Sequence, residues 1–509
     1  MAQETTLRLG NGYLIVEPAF PEILTQKLRY WHRKIEWSET RMRRIASGAY
    51  ENLYQAETSM TPQGLYTQRL TTLPGFAFKV KNLLQEEGWT FKIVDERLPL
   101  PEPDFEAAMK GLRDYQVPIV YTAIMSGGGV VSAATGSGKT HLVASIIKAF
   151  PLKALQLRGT PQVVVTTPDK DITAKDYRDL MELMPDREVG LVMSGTRRFS
   201  DDVQVITLDS LHHLNPDDVG ILIVDEVHAG ASGSRADALM KFRRAARWGV
   251  SATPSGRFDG RDLVTEGIFG PVVSQYTFAD GVRDGALVPI KVFWVKAPEP
   301  EMGLDHYNKY KKRESRYFHG VHRNTLLNTM IGSLMTRIPP NLQTLCIMQF
   351  LEHMNEIRPH CGDGVEIVHA EQDPKRFLKL KNLVPVSPKE RRAIYGRMEA
   401  AEIRKILSTF VYKQGVNFPE LSIVINAAGG GSEIVVKQIP GRESRKTESK
   451  TESFLVDFWH PWDKILDARG RMVPGAVHKD DRSREKVYEE LGFEQTWVDT
   501  IDDLPFLKA

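Results

Sequence analysis

The sequence predicts an α/β protein with two doubly wound parallel-sheet lobes in tandem and a small α+β domain in front of them. Two series of apolar runs indicate the lobes, because strands buried in a parallel sheet read as continuous Val, Ile and Leu segments. A glycine-rich loop between such a run and a helical pattern is the third observation. The predicted parts are an N-terminal domain with linker, a first lobe, a connecting segment, and a second lobe with a closing helix: residues 1–105, 106–285, 286–335 and 336–509.

The first hundred residues mix strand and helix patterns. Residues 13–18 ("YLIVEP") and 89–96 ("WTFKIVDE") are predicted strands, whereas 22–37 and 75–88 show the apolar spacing of helices. The proline-rich stretch 97–105 predicts a linker, because successive prolines continue neither a helix nor a strand. These patterns together predict the small α+β domain.

The strands of the two lobes are predicted from apolar runs. Those of the first lobe are 162–168, 189–195, 203–209 and 219–226. Those of the second lobe are 342–350, 364–370, 421–428 and 453–459. A strand before the glycine-rich loop and a helix after it complete the first series.

Composition excludes several classes of protein. The net charge is +2, from 67 basic and 65 acidic residues, so any nucleic-acid contact must come from local basic patches. Cys346 and Cys361 form no disulfide framework and no metal-ligand spacing, which indicates a reducing compartment. The start of the chain lacks a signal-peptide pattern, and no apolar run is long enough to span a bilayer. We therefore expect a cytoplasmic protein.

The stretch "AATGSGKT" (133–140) predicts a phosphate site. In G-x-x-x-x-G-K-[ST], loop N–H groups and a helix N-terminus hold phosphates, the Lys reaches the β/γ oxygens, and the hydroxyl binds Mg²⁺. Ala133 replaces the first glycine, while Gly138, Lys139 and Thr140 are in place. The loop alone predicts that a phosphate-bearing ligand binds here. It does not indicate what the energy of that phosphate is used for.

The stretch "ILIVDEVH" (221–228) is an apolar strand that ends in two carboxylates. In a nucleotide hydrolase the first acid holds Mg²⁺ through water and the second polarises the attacking water. Asp225 and Glu226 are therefore candidates for these two roles.

The order of short motifs along the chain resembles that of superfamily-two helicases. "DEVH" and "SATP" (251–254) resemble motifs II and III, and "QIPGRESR" (438–445) fits Q-x-x-G-R-x-x-R of motif VI at every fixed position. The other matches are to the Q motif and motifs Ia, Ib and V: "LRDYQ" (112–116), "TTP" (166–168), "VITLDSL" (205–211) and "FVYKQGVNFPEL" (410–421). The resemblance implies two RecA-like lobes that use ATP and Mg²⁺.

The resemblance also implies residue roles. Nucleotide contacts are expected from Arg113, Tyr115, Gln116, Thr135, Gly136, Ser137, Gly138, Lys139, Thr140, Gly415 and Asn417. Catalytic roles are expected for Lys139, Asp225, Glu226, Gln438, Arg442 and Arg445, with Thr140 and Asp225 as metal ligands. Ser251 and Thr253 are expected to couple the nucleotide to the strand-binding surface. Motif V often has an acid where this chain has Asn417, so the ribose contact there is in question.

Within the superfamily the chain most resembles phage UvsW-type DNA helicases, and more distantly RecG, XPB and restriction-type helicase subunits. That resemblance implies movement on duplex or branched DNA, in the cytoplasm of a bacterium or a phage-infected host. Basic patches with interleaved aromatics, at 27–44 and 309–323, are predicted tracks for nucleic acid. Predicted DNA contacts are the hydroxyl residues of motifs Ia and Ib and the cations of the second patch: Thr166, Thr167, Thr207, Ser210, Lys309, Lys311, Lys312, Arg313 and Arg316.

Three functions follow from these patterns. The first is an ATP-dependent DNA helicase or translocase that remodels forks, junctions or R-loops in phage-type recombination or repair. The second is the translocase subunit of a restriction, CRISPR or other defence assembly, with nuclease or guide components on other chains. The third is an ATP-gated DNA-binding switch that does not unwind. DNA is the partner in all three, with replication, recombination or defence proteins as further candidates.

Overall fold

The computed structural model describes residues 4–38, 43–60, 62, 66–254, 260–409, 418, 420–430, 450–467 and 469–508. By its internal contacts the chain divides into two compact units. The first unit comprises residues 1–134 and 138–276, and the second comprises 277–509 with 135–137. In these ranges no helix has the length and apolarity to cross a membrane.

The N-terminal part of the first unit is built around a mixed sheet. Its strands are β1 Glu4–Leu9, β2 Leu14–Glu17, β3 Arg29–Ser38, β4 Arg43–Asn52, β5 Tyr54–Met60, β6 Tyr66–Thr72 and β7 Thr90–Asp95. Its helices are α1 Glu22–Lys27 and α2 Ala77–Glu86. In the part of the chain that the structure describes, the sheet order is β5-β6-β2-β1-β7, and β3 pairs with β4 in a separate antiparallel hairpin. The predicted strands at 13–18 and 89–96 and the helix at 75–88 are confirmed.

The helix predicted over 22–37 is wrong beyond Lys27. The helix α1 ends there, and β3 begins at Arg29. Aromatic residues favour strands, and a partner strand was available in β4. Trp31, which the helical spacing placed on a buried face, has 53% of its surface exposed. Four apolar residues at helical intervals were thus too few to distinguish the periodicity of a helix from that of a strand.

The rest of the first unit is a doubly wound parallel sheet. Its strands are β8 Gly129–Ala133, β9 Gln162–Thr167, β10 Val189–Met193, β11 Thr196–Arg198, β12 Val203–Thr207, β13 Val219–Asp225, β14 Ala246–Ser251 and β15 Val272–Tyr276. Its helices are α3 Phe105–Met109, α4 Gln116–Met125, α5 Lys139–Lys148, α6 Leu152–Leu157, α7 Lys170–Leu183, α8 Gly233–Met240 and α9 Asp262–Phe269. Over the described residues the order is β11-β10-β12-β9-β13-β14-β8-β15, and β11 alone is antiparallel to its neighbour. The predicted strands of this lobe are confirmed.

Burial on both faces explains the long apolar runs of this sheet. Every residue of β9 and β12 is buried, as are the first six of β13. The N-terminal part packs against α9, where Lys79 forms an ion pair of 2.8 Å with Glu266. Gly75 lies against the same helix, because a Cβ there would be 2.1 Å from the carbonyl oxygen of Glu266. The boundary near residue 105 remains a prediction.

The second unit contains a second parallel sheet. Its strands are β16 Ile290–Lys296, β17 Gln343–Ile347, β18 Val365–Val368, β19 Lys405–Ser408, β20 Leu421–Asn426, β21 Ser453–Trp459, β22 Lys464–Leu466, β23 Met472–Pro474 and β24 Glu494–Val498. Its helices are α10 Phe278–Arg283, α11 Leu304–Tyr307, α12 Arg313–Tyr317, α13 Thr325–Arg337, α14 Leu351–Ile357, α15 Pro374–Phe377, α16 Pro388–Glu399 and α17 Ala476–Glu490. Within the described part, the order is β18-β19-β17-β20-β21-β16-β24, with β22 and β23 in a separate hairpin. Two tandem RecA-like α/β lobes, as predicted, are confirmed.

The core of the second unit includes both cysteines. Cys346 in β17 is fully buried and Cys361 is half-buried, and both are free thiols. Burial raises the pKa of the Cys361 thiol to about 11. Neither thiol therefore has the depressed pKa of a reactive cysteine.

Candidate nucleotide-binding site

The phosphate-loop sequence lies between β8 and α5. β8 is flanked in the sheet by β14, and β14 by β13, so the loop and the acidic end of β13 lie at the same edge of the sheet. Gly136 and Gly138 have φ angles of +88° and +83°, a region that favours glycine. The helix α5 starts at Lys139, and N–H groups in a first helical turn lack partners within the helix. These are the conditions under which a loop binds phosphate.

Gln116 lies directly beside this loop. Its side chain is buried, and its Oε1 accepts a hydrogen bond of 3.0 Å from the backbone N–H of Arg113. A Cβ at Gly138 would be 2.6 Å from Gln116 Nε2, so a larger residue there would displace the Gln116 amide as well as strain the backbone. The adenine contact expected of Gln116 stays a prediction.

Tyr115, expected beside the adenine, packs against another ring. Its ring stacks on that of Tyr276, with 4.6 Å between centroids and 13° between planes. The guanidinium of Arg113 lies 3.4 Å from the hydroxyl of Tyr115. The three predicted adenine-side residues, including Gln116, are therefore neighbours around the start of α4.

Asp225 is the last residue of β13, and its environment suits a cation ligand. Burial and the neighbouring charge of Glu226 raise the pKa of Asp225 to about 6, against the opposing effect of Lys139. Its Oδ1 is buried and has no hydrogen-bond partner among the described residues. A buried carboxylate oxygen of this kind is costly unless a ligand or cation satisfies it. The residues present therefore fit Mg²⁺, with Thr140 as the second expected ligand.

A protein-only metal cage is not needed for this assignment. Over the described ranges, no group of three or more His, Cys, Asp or Glu could hold a metal ion. Mg²⁺ in nucleotide hydrolases is typically bound by one or two protein groups together with substrate phosphates and water. A hydroxyl and a single carboxylate at the phosphate loop match that pattern.

Glu226 is connected to the end of β14 by a short chain of hydrogen bonds. It adopts a left-handed backbone conformation, with φ of +50°. The hydroxyl of Ser251 donates to Glu226 Oε2 at 3.0 Å, and its oxygen accepts from the N–H of Thr253 at 3.0 Å. His228 Nδ1 lies 3.1 Å from the same hydroxyl. The predicted catalytic acid and the predicted coupling residues thus share one network.

His228 was missed as a site residue by sequence reasoning, although it lies within the quoted "DEVH". It is buried, and its Nδ1 is 3.5 Å from Glu226 Oε2. Because its ring touches both Glu226 and Ser251, it belongs to the link between β13 and β14. The signal in the sequence was the histidine at the fourth position of "DEVH" (225–228).

Two residues of α7 were also missed. Lys175 Nζ lies 3.5 Å from Thr140 Oγ1 and 2.6 Å from Asp179. Asp176 is buried near Asp225, and burial together with that charge raises its pKa well above the usual value. Nothing in the sequence of an amphipathic helix marked these residues, because their neighbours come from β13 and α5.

The hydroxyl residues expected at DNA require a correction. Thr166 and Thr167 are fully buried, and the Thr167 hydroxyl is bonded to that of Thr173. Hydroxyls enclosed at the end of a central strand cannot reach a phosphate, so we do not retain these two as DNA contacts. A contact of Thr166 or Thr167 through the backbone amide stays a prediction. Thr207 is buried and donates to Ser210 at 2.8 Å, while Ser210 is half-buried. Ser210 remains the candidate of this group.

Arg316 in the second basic patch also requires a correction. Its side chain has 1% of its surface exposed, and its Nε donates to Asp463 at 2.7 Å. A buried guanidinium paired in this way is part of the core and is unavailable to a phosphate. Lys309, Lys311, Lys312 and Arg313 are exposed, although Arg313 also pairs with Asp480 at 2.9 Å.

The remaining predicted site residues lie outside the described residues. They are those of motifs V and VI: Gly415, Asn417, Gln438, Arg442 and Arg445. Their roles remain predictions from the sequence. In the first unit, the two ends of the phosphate loop (Ala133 and Gly138–Thr140), both acids and the coupling residues are at the same edge of the sheet.

Comparisons with known proteins give relatives that are named as a helicase and a translocase. Residues 109–256 match the family described as "Type III restriction enzyme, res subunit". Over 463 residues the chain is 22% identical to "Putative helicase 22" of Sulfolobus islandicus filamentous virus, covering 82% of this chain and 78% of the relative. Over 421 residues it is 23% identical to "DNA 3'-5' translocase XPB2" of Sulfurisphaera tokodaii, covering 77% and 91%. The resemblance to superfamily-two helicases is thereby confirmed.

Solved structures similar to this chain include that of T4 UvsW, with a TM-score of 0.39 and 15% identity over 98% of this chain and 99% of that one. The restriction-modification enzyme LlaBIII, solved bound to DNA, has a TM-score of 0.49 and 13% identity over 84% of this chain and 35% of that one.

Proposed function

We propose that this chain is an ATP- and Mg²⁺-dependent DNA helicase or translocase that remodels branched or duplex DNA. The observation that carries the proposal is the arrangement at one sheet edge in the first unit. There the end of the glycine-rich loop at Gly138, which opens α5, lies near two carboxylates at the end of β13 (Asp225 and the following Glu226) and a serine that ends β14. That arrangement suits phosphate binding, activation of the attacking water, and coupling of ATP hydrolysis to movement on DNA.

In the proposed reaction, each residue of this edge has a separate task. The N–H groups at the start of α5 and the Lys139 ammonium bind the phosphates of ATP. Glu226 orients the attacking water and takes up its proton. Mg²⁺, held by Thr140 and Asp225, would neutralise charge on the phosphate oxygens. Arg442, from motif VI, would stabilise the charge that develops on the γ-phosphate, as an arginine finger does.

We propose that hydrolysis is coupled to movement through Ser251. Its hydroxyl binds the carboxylate of Glu226, and Thr253 follows it at the end of β14. A change in the hydrogen bonding of Glu226 on hydrolysis would therefore alter the bond that the Ser251 hydroxyl donates to it. Loss of this hydroxyl should affect strand movement more than ATP turnover.

The N-terminal domain is proposed to engage DNA. Trp31 and Tyr50 are exposed on the hairpin of β3 and β4, with 5.1 Å between ring centroids. The guanidinium of Arg29 lies 4.5 Å from the centre of the Tyr50 ring. Exposed aromatic rings beside a cation suit stacking on bases next to a phosphate contact. Fork, junction or R-loop remodelling in recombination or repair is the proposed work.

The test is strand displacement on a labelled DNA fork. We expect unwinding by the wild type with ATP and Mg²⁺, and at least about a hundredfold less with Glu226→Gln or Arg442→Ala. Glu182→Gln, an exposed glutamate of α7, is the matched control and should unwind like the wild type. Strong DNA-stimulated ATP hydrolysis without movement of any strand would contradict the helicase proposal and favour the ATP-gated switch.

A second candidate is the translocase subunit of a restriction or other defence assembly, because residues 109–256 match a restriction res-subunit family. This candidate predicts movement along intact duplex without separation of its strands. Displacement of a third strand from duplex DNA, in the absence of fork unwinding, would favour it. Co-purification with a nuclease or guide-bearing chain would support the same candidate.

A further inference from the structure

The segment that crosses from β18 to β19 carries a basic surface that was not predicted from the sequence. Residues 371–392 contain seven basic side chains and three acidic ones. Five of the basic side chains are exposed and form no ion pair within the described residues, and we call them the crossover surface: Lys375, Lys379, Lys381, Lys389 and Arg392. Exposed cations in such number attract an anionic partner.

The three acids of this segment are engaged by its own backbone. Glu371 Oε1 accepts a hydrogen bond of 2.9 Å from the N–H of Asp373, and Asp373 Oδ1 accepts one of 2.9 Å from the N–H of Lys375. Glu390 Oε2 accepts from the N–H of Ser387 at 2.7 Å. The carboxylates are therefore fixed at the starts of α15 and α16, while the cations of the crossover surface are exposed.

The segment is anchored on α14 by two side chains. Arg376, in α15, donates to Glu352 at 2.8 Å and to Glu371 at 2.6 Å. The backbone and side-chain N–H groups of Asn382 donate to Asn355 at 3.0 Å and 2.9 Å. The helix α14 follows the carboxyl end of β17, and both β17 and β18 are parallel to β19. The crossover surface therefore lies at the carboxyl edge of this sheet, where α/β sheets bind their ligands.

Four cations of the crossover surface form two pairs at helical spacing. Lys375 and Lys379 are four residues apart, and helical hydrogen bonding continues past α15 to Leu380. Lys389 and Arg392 are three residues apart in α16. Residues at these intervals are neighbours on one side of a helix. Each pair thus presents a short row of cations, which suits a row of phosphates.

The helix α14 also contacts the second basic patch, residues 309–323. Arg323 donates to Glu356 at 2.9 Å, and Glu356 lies four residues after Glu352, the partner of Arg376. These two acids share one face of α14. Each is paired with an arginine from a different basic segment. Basic segments far apart in the sequence therefore border one helix of the second unit, which favours an extended anion over a small one.

Resting on the proposed function, we propose that the crossover surface binds the phosphate backbone of DNA. Its lysine and arginine side chains would neutralise phosphates and fix the position of the strand without reading its sequence. Each phosphate neutralised in this way releases counterions, so the contact contributes to the salt dependence of binding.

The first test is the salt dependence of DNA binding by the full-length chain without nucleotide. Fluorescence anisotropy with labelled duplex and forked DNA is measured between about 50 and 200 mM salt. Lys375→Gln combined with Lys379→Gln should weaken binding at least about tenfold and lower the slope of log K against log salt by about two. Unchanged affinity and slope would overturn the inference.

The matched control is Lys479→Gln combined with Lys486→Gln. Both lysines are exposed on α17 in the same unit, and the change removes the same charge. This variant should keep the wild-type slope. An equal fall in the control would overturn the inference, because net charge alone would then explain the effect.

A second variant covers the other half of the surface. Lys389→Gln combined with Arg392→Gln changes only exposed side chains of α16. It should lower the slope by about two as well, and it replaces the first variant if that one does not fold. A wild-type slope in this variant would overturn the inclusion of α16 in the surface.

An acidic polypeptide is the other class of partner that a basic surface could bind. Labelled poly-L-glutamate is therefore tested beside DNA under the same conditions. We expect the wild type to bind DNA at least about tenfold more tightly than poly-L-glutamate. If Lys375→Gln with Lys379→Gln loses binding to poly-L-glutamate and keeps wild-type binding to DNA, the assignment to DNA is overturned.

The salt slopes separate this inference from the proposed function. If DNA does not stimulate ATP hydrolysis by the wild type, the proposed function fails, and the slopes still decide whether the crossover surface binds DNA. If DNA stimulates hydrolysis but the variant with Lys375→Gln and Lys379→Gln has the wild-type slope, the inference alone fails.

Discussion

Replacement of Gly138 by alanine tests the structural basis of the phosphate loop. Gly138 has a φ of +83°, which costs an alanine about 1–2 kcal/mol. The new Cβ would also be 2.6 Å from Gln116 Nε2, well inside the 3.4 Å at which ordinary contact begins. The Gln116 amide would have to move and give up its bond to the N–H of Arg113, worth about 1 kcal/mol. We therefore expect a total destabilisation of about 2–3 kcal/mol.

The structure offers a control for the backbone contribution. Gly195 has a φ of +89°, and a Cβ there would meet nothing within 4 Å. Gly195→Ala should therefore cost about 1–2 kcal/mol, the strain alone. The collision is absent when Gln116→Ala is combined with Gly138→Ala. The double variant should therefore lose about 1 kcal/mol less stability than the sum of the losses of the two single variants.

Denaturant unfolding and titration with a fluorescent ADP analogue are the two assays. Gly138→Ala should weaken ADP binding at least about tenfold, because the N–H groups at the start of α5 lose their alignment. Gly195→Ala should bind ADP like the wild type. The reasoning is refuted if Gly138→Ala destabilises the protein no more than Gly195→Ala does. It is also refuted if the losses of Gly138→Ala and Gln116→Ala are additive in the double variant.

Three further predictions follow from the described side chains. Ser251→Ala removes the hydrogen bond to Glu226, so ATP turnover on forked DNA should stay within about threefold while strand displacement falls at least about tenfold. Arg316→Met leaves the buried Asp463 carboxylate without its counter-charge, so denaturant unfolding should show a loss of about 3–5 kcal/mol. Burial lowers the pKa of His353 to about 3. An unfolded histidine binds its proton near pH 6.5, so stability should fall by about 2 kcal/mol from this residue between pH 6.5 and pH 5.

Each of these has its own control. Lys311→Ala should weaken DNA binding without changing unfolding, the reverse of Arg316→Met, and equal effects on both properties would contradict the buried assignment of Arg316. His353→Gln should unfold with a shallower pH dependence than the wild type, and an unchanged pH dependence would contradict the contribution assigned to His353. Equal losses of turnover and displacement in Ser251→Ala would remove its proposed coupling role.

Apolar patterning predicted the lobes because a buried parallel strand leaves little choice of residue. The eight predicted runs became strands for that reason, and the loop followed from its glycines and its flanking elements. Residues 29–37 were predicted as helix because the pairing of β3 with β4 depends on residues 43–52, which local spacing does not report.

The charges of the site were less predictable than its motifs. Arg316 reads as one cation in a basic run, yet its partner Asp463 is 147 residues further along the chain. Thr166 and Thr167 end a strand at the expected edge, but whether a hydroxyl is enclosed depends on α7 packing against it. Lys175 reached Thr140 by the same kind of long-range contact, so no spacing rule could have revealed it.

The most direct test of the central claim is the rate of ATP hydrolysis with and without forked DNA. The account predicts that DNA raises the wild-type rate at least about tenfold and that Glu226→Gln abolishes the increase. A motor that uses ATP to move on DNA must hydrolyse faster when its track is present. An equal wild-type rate in the presence and absence of DNA would contradict the account.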